Sequence, residues 1–374
     1  MGANPTLRST YKKMKVAVIG IGNVGVAIST DLSINGHDVS LIKTSERNSE
    51  IYNRLLQNDN RVYLKENNIY TETKIKRVSK DLSEISNSDV VIITIQSTYH
   101  ENLIRRICQY LNSNQVVVVI CSYMSSFYFS KYCMELPMIA EATGPYLEGR
   151  VELEDKTSEV VFRVGCRLTH SPLSVYNENR KDECMDILKF LYKGFSADYS
   201  VIESALLNPN MVLHTVGAIM SIPRIEYSDG DFCMYREAYS RKNKATLNIM
   251  ECLDKEKMFV LDALGGRKIN IYDAGGFFGI DPIESFFKYS ESSDRAISPT
   301  SIHSRYITED VSQGLVMLED IARQLGIMVP VTSSLITLSS LALGEDFRKT
   351  GRTVDKLGSY QYIEYLKYQR WEKC

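Results

Sequence analysis

The chain carries only five histidines in 374 residues, so each can be weighed for proton transfer near neutrality, the range in which imidazole titrates. His37 falls in a turn before an apolar run, His100 at a helix start and His170 in a Ser/Pro-bounded loop; all three read as solvated. His214 differs. Asn208-Pro209 opens a helix, with proline near the first helical position, where its missing N–H costs nothing. On that helix Asn210, His214, Gly217 and Ser221 share one face, while Met211, Val212, Leu213, Val216, Ile219 and Met220 make the remainder apolar. A polar stripe containing a glycine can admit a ligand; a core histidine satisfied by a neighbour fits the spacing equally well.

A second group of reactive residue types is Arg305-Tyr306-Ile307-Thr308-Glu309-Asp310. Thr308 is placed to cap a helix whose apolar stripe is Val311, Leu315, Leu318 and Leu325. Glu309 and Asp310 then fall in its first turn, where the helix dipole favours carboxylates. Capping accounts for Thr308 and one acid, and leaves Arg305 without a reason.

Such groups need a scaffold, and the sequence announces one at Lys15 to Gly25, KVAVIGIGNVG. The apolar run Val16 to Ile19 leads into Gly20, Gly22 and Gly25, the spacing of a strand-turn-helix that holds a pyrophosphate. Gly20 permits the tight turn, Gly22 lets the backbone approach the phosphates and Gly25 lets the helix lie close to the strand. Asn23 and Val24 open the helix, whose unpaired N–H groups receive the anion. Val26, Ala27, Ile28 and Leu32 continue it to a stop at Asn35-Gly36, and Val39 to Ile42 form the next strand. This βαβ order predicts dinucleotide binding. The strand's end, where an acid normally holds the ribose of NAD, reads Lys43-Thr44-Ser45-Glu46-Arg47. Lys43 or Thr44 occupies the expected position and Arg47 follows within reach, a cation-and-hydroxyl set suited to a 2′-phosphate. NADP(H) is therefore favoured, with NAD(H) possible through Glu46 if the strand ends later.

Asp89 to Ile95 and Gln115 to Cys121 are near-continuous β-branched runs, as in strands covered on both faces, with a helix over Glu101 to Leu111 between them. Pro137 to Glu141 and Glu159 to Val164 add shorter strands to one open, mostly parallel sheet. Beyond about residue 200 helix-period segments take over: Pro209 to Ser221, Met234 to Leu264, Tyr306 to Leu325 and Ser333 to Leu343. The expected architecture is an α/β Rossmann-type N-terminal domain over 14–200 followed by an all-α C-terminal domain over 201–374. Residues 1–13 read as a disordered extension, and the Tyr- and Lys-rich C-terminal stretch as a docking helix.

The formal net charge of -2 supplies no field for nucleic acid or an anionic membrane. No apolar run approaches a membrane-spanning length, and a signal-peptide core is missing from the N-terminus, so a cytoplasmic protein is expected. The eight cysteines form no C-x-x-C pair and read as reduced thiols, neither a disulfide framework nor a metal site.

Several segments together resemble the opine dehydrogenase family, which includes octopine, nopaline and carboxyethyl-norvaline dehydrogenases. They are KVAVIGIGNVG, IQS from Ile95, EATGPY from Glu141, NPNMVLHTVGAIM from Asn208, FCMYREAYS from Phe232, CLDKEKMFVLDALG from Cys252, RYITEDVSQGL from Arg305 and GRTVDKLG from Gly351. The resemblance implies that His214 is the general acid/base and that Asp310 orients it. It implies that Arg305 grips a substrate carboxylate, and that Gln96, Glu141 and Thr143 line the keto-acid side. Ser312 stands where the family often has proline, and Ala142 separates Glu141 from Thr143. The implied reaction joins an amino acid and an α-keto acid through an imine, which hydride from the nicotinamide reduces to a secondary amine dicarboxylate. Small molecules are thus the expected partners. The rivals are a ketopantoate-reductase-like or 3-hydroxyacid-type NADP oxidoreductase, which uses a lysine on the helix that carries His214, and a non-catalytic dinucleotide-sensing regulator, which has no use for His214, Arg305 and Asp310.

Overall fold

In the computed structural model the described residues are 13–154, 159–277, 279–292 and 298–358. The expected N-terminal extension, apart from Lys13, and the expected C-terminal docking helix lie outside them. Twelve strands precede residue 200: β1 (Lys15–Ile19), β2 (Asp38–Ile42), β3 (Arg61–Glu66), β4 (Ile69–Lys74), β5 (Arg77–Ser79), β6 (Val90–Ile93), β7 (Val116–Ile120), β8 (Met138–Ala142), β9 (Leu147–Leu153), β10 (Val160–Arg167), β11 (Ser171–Val175) and β12 (Phe195–Tyr199). Eight of them form one sheet in the order β12-β11-β8-β7-β6-β1-β2-β5. Its neighbours run parallel except β11 against β8. The central strands are apolar throughout because helices cover both faces: every residue of β6 and β7 is buried. Side-chain alternation along β1 sends Ala17 and Ile19 to one core and Val16 and Val18 to the other.

A second sheet, in the order β4-β3-β10-β9, packs over the helix Asn23–Ile34. The segment Glu159 to Val164, expected in the parallel sheet, belongs here: β10 pairs antiparallel with β9 and parallel with β3. Its partners escape an apolar-run reading because they are polar; β4 is IYTETK, with four of its six residues exposed.

After Tyr199 the described residues are helical, with no strand. Val201–Leu206 starts with a capping box in which Ser200 and Glu203 satisfy each other's backbone N–H groups. The histidine helix is Asn210–Met220. The expected helix Met234 to Leu264 breaks into Met234–Ala238 and Lys244–Ala263, since Asn243 caps the second through the Thr246 N–H. The expected helix Tyr306 to Leu325 starts at Arg305 and passes through a π-helical stretch, Asp310–Leu315, before Val316–Gln324. Residues of the sheet (Ile93, Val119) and of these helices (Met211, Val216, Val311, Leu315) share one contiguous core, so the two halves are seated firmly on each other. Among the described residues no single helix is long and apolar enough to cross a membrane.

One cysteine pair corrects the reduced-thiol reading: Cys108 and Cys133 form a disulfide, with Cα atoms 4.8 Å apart. They stand just past the ends of two neighbouring helices, His100–Ile107 and Ser126–Tyr132. A separation of 25 residues carries no recognisable spacing.

Candidate active site

The glycine turn has the shape its sequence requires. Gly20 sits at φ +117°, and a Cβ on Gly25 would lie 1.8 Å from the Gly20 carbonyl oxygen, so neither position tolerates a side chain. A Cβ on Gly22 would meet only the Asn48 amide at 3.7 Å, which leaves the backbone open to a pyrophosphate. The helix then starts at Asn23 with no side-chain cap, so its first N–H groups face outward uncapped. The Asn23 side chain itself is engaged elsewhere, accepting the Val151 N–H at 2.9 Å. These features fit a dinucleotide.

At the end of β2, Lys43 is 3 % exposed and its Nζ meets no partner, an orphaned buried ammonium among the described residues. Thr44 is half-buried and Arg47 exposed. Arg47 Nη1 donates to Gln96 Oε1 at 3.1 Å, so the loop after β2 reaches across to the loop after β6.

That second loop links the glycine turn to the helical domain. Thr94 donates to the carbonyls of Ile19 and Gly20, and three residues later Ser97 donates its N–H and Oγ–H to Glu309 Oε1 at 2.6 and 2.8 Å. Beside Glu309, Asp310 accepts from His214 Nδ1 at 2.8 Å through Oδ2 and from the Tyr123 phenol at 2.7 Å through Oδ1. His214 and Asp310 are 96 positions apart and each is 4 % exposed. Because a carboxylate accepts only, it holds the imidazole with its proton on Nδ1 and leaves Nε2 as the base. Tyr306 stacks on the ring at 3.7 Å and 6°. Burial lowers the His214 proton affinity, Asp310 raises it and Arg305 lowers it, with a net fall below the ordinary histidine value. At neutral pH the His214 ring is therefore uncharged and oriented, with a carboxylate beside it that can stabilise an imidazolium.

Arg305 is half-exposed, its nearest acid being Glu309 at 3.9 Å, which leaves its planar donor fork available. Burial raises the proton affinity of Glu309, Asp310 adds to this, and Arg305 and the Ser97 donors oppose it. Lysine at position 305 keeps the charge and loses the fork, and should raise the keto-acid Michaelis constant about tenfold while turnover at saturation holds; steady-state titration of the keto acid checks this.

Several expectations need correction. Thr308 is not the cap. The helix begins at Arg305 after Ser304, and Thr308 Oγ donates back to the Ser304 carbonyl within it. Glu141 is fully buried on β8, with its oxygens taken by Ser122 Oγ and the Ser126 N–H, so it cannot line a substrate surface. Thr143 is half-buried just beyond, its carbonyl accepting the Cys121 thiol. Gln96 and Thr143 lie past the carboxyl ends of β6 and β8, at the ligand edge of a parallel sheet, without direct contact to His214. His37 and His100 are buried, not solvated; burial, with Arg352 nearby, takes His100 down to about 3, a neutral ring between Ser125 and the Ile95 carbonyl. Burial pushes the Cys121 thiol up to about 12 despite Arg305, which removes it as a nucleophile. Tyr123, Ser97, Tyr306 and Arg352 complete the site without having been singled out. Ser97, Tyr306 and Arg352 lie within the segments IQS, RYITEDVSQGL and GRTVDKLG that carried the resemblance, whereas Tyr123 lies in none of them.

Known proteins carry the same arrangement of domains. Residues 197–343 match the family described as NAD/NADP octopine/nopaline dehydrogenase, alpha-helical domain, and residues 15–123 the family described as NAD-dependent glycerol-3-phosphate dehydrogenase N-terminus. An opine dehydrogenase of Arthrobacter sp. (strain 1C) is 22% identical over 368 residues, spanning 91% of this chain and 94% of its own. Protein ocs of Agrobacterium vitis is 23% identical over 355 residues, spanning 92% and 95%. A solved octopine dehydrogenase with NADH and L-arginine has a TM-score of 0.73 at 18% identity, over 95% of this chain and 98% of that one, which speaks for the fold. A Rossmann-type dinucleotide domain, a helical part that matches the octopine/nopaline dehydrogenase alpha-helical domain and similarity along nearly the whole chain to opine enzymes lead to one conclusion: the chain is similar to the opine dehydrogenases in both of its halves.

Proposed function

We propose that the protein is an NAD(P)H-dependent opine dehydrogenase that condenses an amino acid with an α-keto acid and reduces the resulting imine at the C=N bond. Dinucleotide binding is assigned to the part before about residue 200 and substrate handling to the part after it. The observation that carries the reading is the buried His214–Asp310 pair at 2.8 Å, next to Glu309, which accepts from Ser97 on the loop after β6 that also touches the glycine turn. Condensation releases water, and each proton moved needs a group that gives and takes it near neutrality. His214 Nε2 supplies that group, while Asp310 fixes the tautomer and steadies the imidazolium. Arg305 holds a substrate carboxylate, and Gln96 and Thr143 border the keto-acid side. The dinucleotide, when bound, supplies the hydride; Gly20, Gly22, Asn23, Val24 and Gly25 hold its pyrophosphate. A histidine in place of lysine on the helix Asn210–Met220 speaks against the ketopantoate-reductase-like reading, and the buried His214–Asp310 pair against a non-catalytic sensor. The test is a grid of amino acids against pyruvate, α-ketoglutarate and glyoxylate, following NADPH and NADH oxidation. Consumption that requires both partners supports the reading, and none with any pair removes it.

NADPH is the favoured donor. The support is Lys43, a buried amino group without a hydrogen-bond partner at the end of the second strand, where the adenosine ribose is expected, with Arg47 behind it. Lys43→Met combined with Arg47→Ala should weaken NADPH about a hundredfold and NADH by no more than about threefold in fluorescence titrations. Equal losses would identify an enzyme specific for NADH.

A further inference from the structure

We propose that Tyr123, held in place by Arg352, is a positioning residue that fixes Asp310 and thereby sets how tightly His214 keeps its proton. The proposal rests on the reading of His214 as the proton-transfer group.

Asp310 divides its two oxygens between two donors, Oδ2 for His214 and Oδ1 for the Tyr123 phenol, so the three side chains form a chain from the cleft into the core. Tyr123 is 1 % exposed, and burial beside Asp310, Glu309 and Cys121 keeps its phenol protonated, a donor at all working pH. Its ring sits where only glycine leaves room on the π-helical stretch: a Cβ on Gly314 would lie 3.1 Å from Tyr123 Cε1 and 2.8 Å from Met211 Cγ.

The backbone that carries Tyr123 is strained. Cys121, Tyr123 and Met124 have φ of +55°, +45° and +68°, the left-handed region that non-glycine residues avoid. Such a run persists only where its surroundings over-determine it, and Arg352 is what surrounds it. This guanidinium is 1 % exposed and hydrogen-bonded to no carboxylate. Nη1 donates to the Ser122 carbonyl at 2.7 Å, to the Tyr123 carbonyl and to Ser125 Oγ; Nη2 donates to the Ser97 carbonyl at 2.9 Å. Its own backbone N–H donates to the Ser312 carbonyl at 2.8 Å, on the stretch that contains Asp310. Arg352 therefore grips both sides of the Tyr123–Asp310 bond, and the loop of Ser97, which holds Glu309, besides.

The charges in reach are few. His214 faces Asp310, Arg305 and the rings of Tyr306 and Tyr235; Tyr123 faces Asp310, Glu309 and Cys121; Arg352 faces Glu141, His100 and the Tyr128 ring. Removing the phenol oxygen changes none of these charges. It takes one donor from the Asp310 carboxylate, which then pulls harder on the imidazolium, so His214 should hold its proton to higher pH.

The test titrates the His214 ring by NMR in protein labelled with 15N-histidine, the signal being assigned by its loss in His214→Gln. No substrate is involved, so a chain that reduces no amino-acid and keto-acid pair still answers, and failure of the functional reading stays separate. Tyr123→Phe should raise the His214 midpoint by about one pH unit, with a melting temperature lower by no more than a few degrees. Arg352→Lys, which keeps the charge but loses the fork, should raise it by less, and Tyr123→Phe/Arg352→Lys should go no higher than Tyr123→Phe alone. An unmoved or lowered midpoint in Tyr123→Phe overturns the proposal. Additive shifts in the double variant overturn the part assigned to Arg352, which would then act on His214 by another route.

Discussion

Alanine at position 214 should lower turnover about a thousandfold, a barrier increase of about 4 kcal/mol, while leaving the dinucleotide bound as tightly as before. The size follows from what His214 alone provides. Among the described residues no other imidazole shares a hydrogen bond with Asp310, and His100 is a neutral ring turned onto Ser125 and the Ile95 carbonyl. Neighbouring groups make poor substitutes: the Cys121 thiol is held protonated by burial, and Tyr123 gives its only proton to Asp310. The substitution has a structural price as well. It leaves a buried carboxylate with one donor where it had two, which costs about 1–3 kcal/mol of stability and a melting temperature a few degrees lower. Cofactor affinity is the control, because His214 lies on Asn210–Met220 whereas the anion site is the first turn of Asn23–Ile34. Nicotinamide fluorescence titration and stopped-flow turnover measured together check it. Turnover within about threefold of the parent would remove His214 from the chemistry.

What could be read from the chain and what could not divide along a physical line. The glycine turn was legible because its parts are contiguous: strand, turn and helix lie within Lys15 to Ile34, and each glycine answers a local steric demand. The buried strands β6 and β7 were legible because two-sided burial demands unbroken apolar runs. The second sheet was not, since β4 exposes most of its residues and presents no such run. Glu141 was placed on the keto-acid side by the resemblance, which says nothing of the donors that hold its carboxylate. Those donors, Ser122 and Ser126, come just after the neighbouring strand β7, and nothing local marks them. Thr308 was taken as a cap because its spacing to the acids is right. Ser304, four residues earlier, starts the helix, and the π-helical stretch then shifts Asp310 into line with His214. Spacing rules assume one helical period, and this helix changes period at the residue that matters. The pairing of positions 214 and 310 is in turn a property of the fold that only the resemblance to a family could suggest from sequence.

Asparagine at position 310 should be nearly as damaging as alanine at 214, with turnover about a hundred- to ten-thousandfold down, and for a reason the geometry lets one dissect. The carboxylate accepts from His214 and Tyr123 at once, and an amide has one oxygen for two donors. If that oxygen stays with Tyr123, the amide NH2 faces Nδ1, the imidazole must carry its proton on Nε2, and the base is lost. If it turns to His214, the tautomer survives but the charge that steadies the imidazolium is gone. In either orientation the imidazolium is less stable than in the parent, so the acid limb of the pH profile should move to lower pH, the direction in which burial and Arg305 already push. Removing the competing phenol separates the two causes. Asp310→Asn/Tyr123→Phe frees the amide oxygen for Nδ1, and a double variant that turns over several-fold faster than Asp310→Asn alone identifies the tautomer as the larger loss. A double variant equal to or slower than Asp310→Asn identifies the missing charge instead. Tyr123→Phe is expected to shift the His214 midpoint upward with either residue at 310, through a less shared carboxylate in the parent and a freed amide oxygen in Asp310→Asn. That is the behaviour of two donors sharing one acceptor, not of two independent contributions to stability.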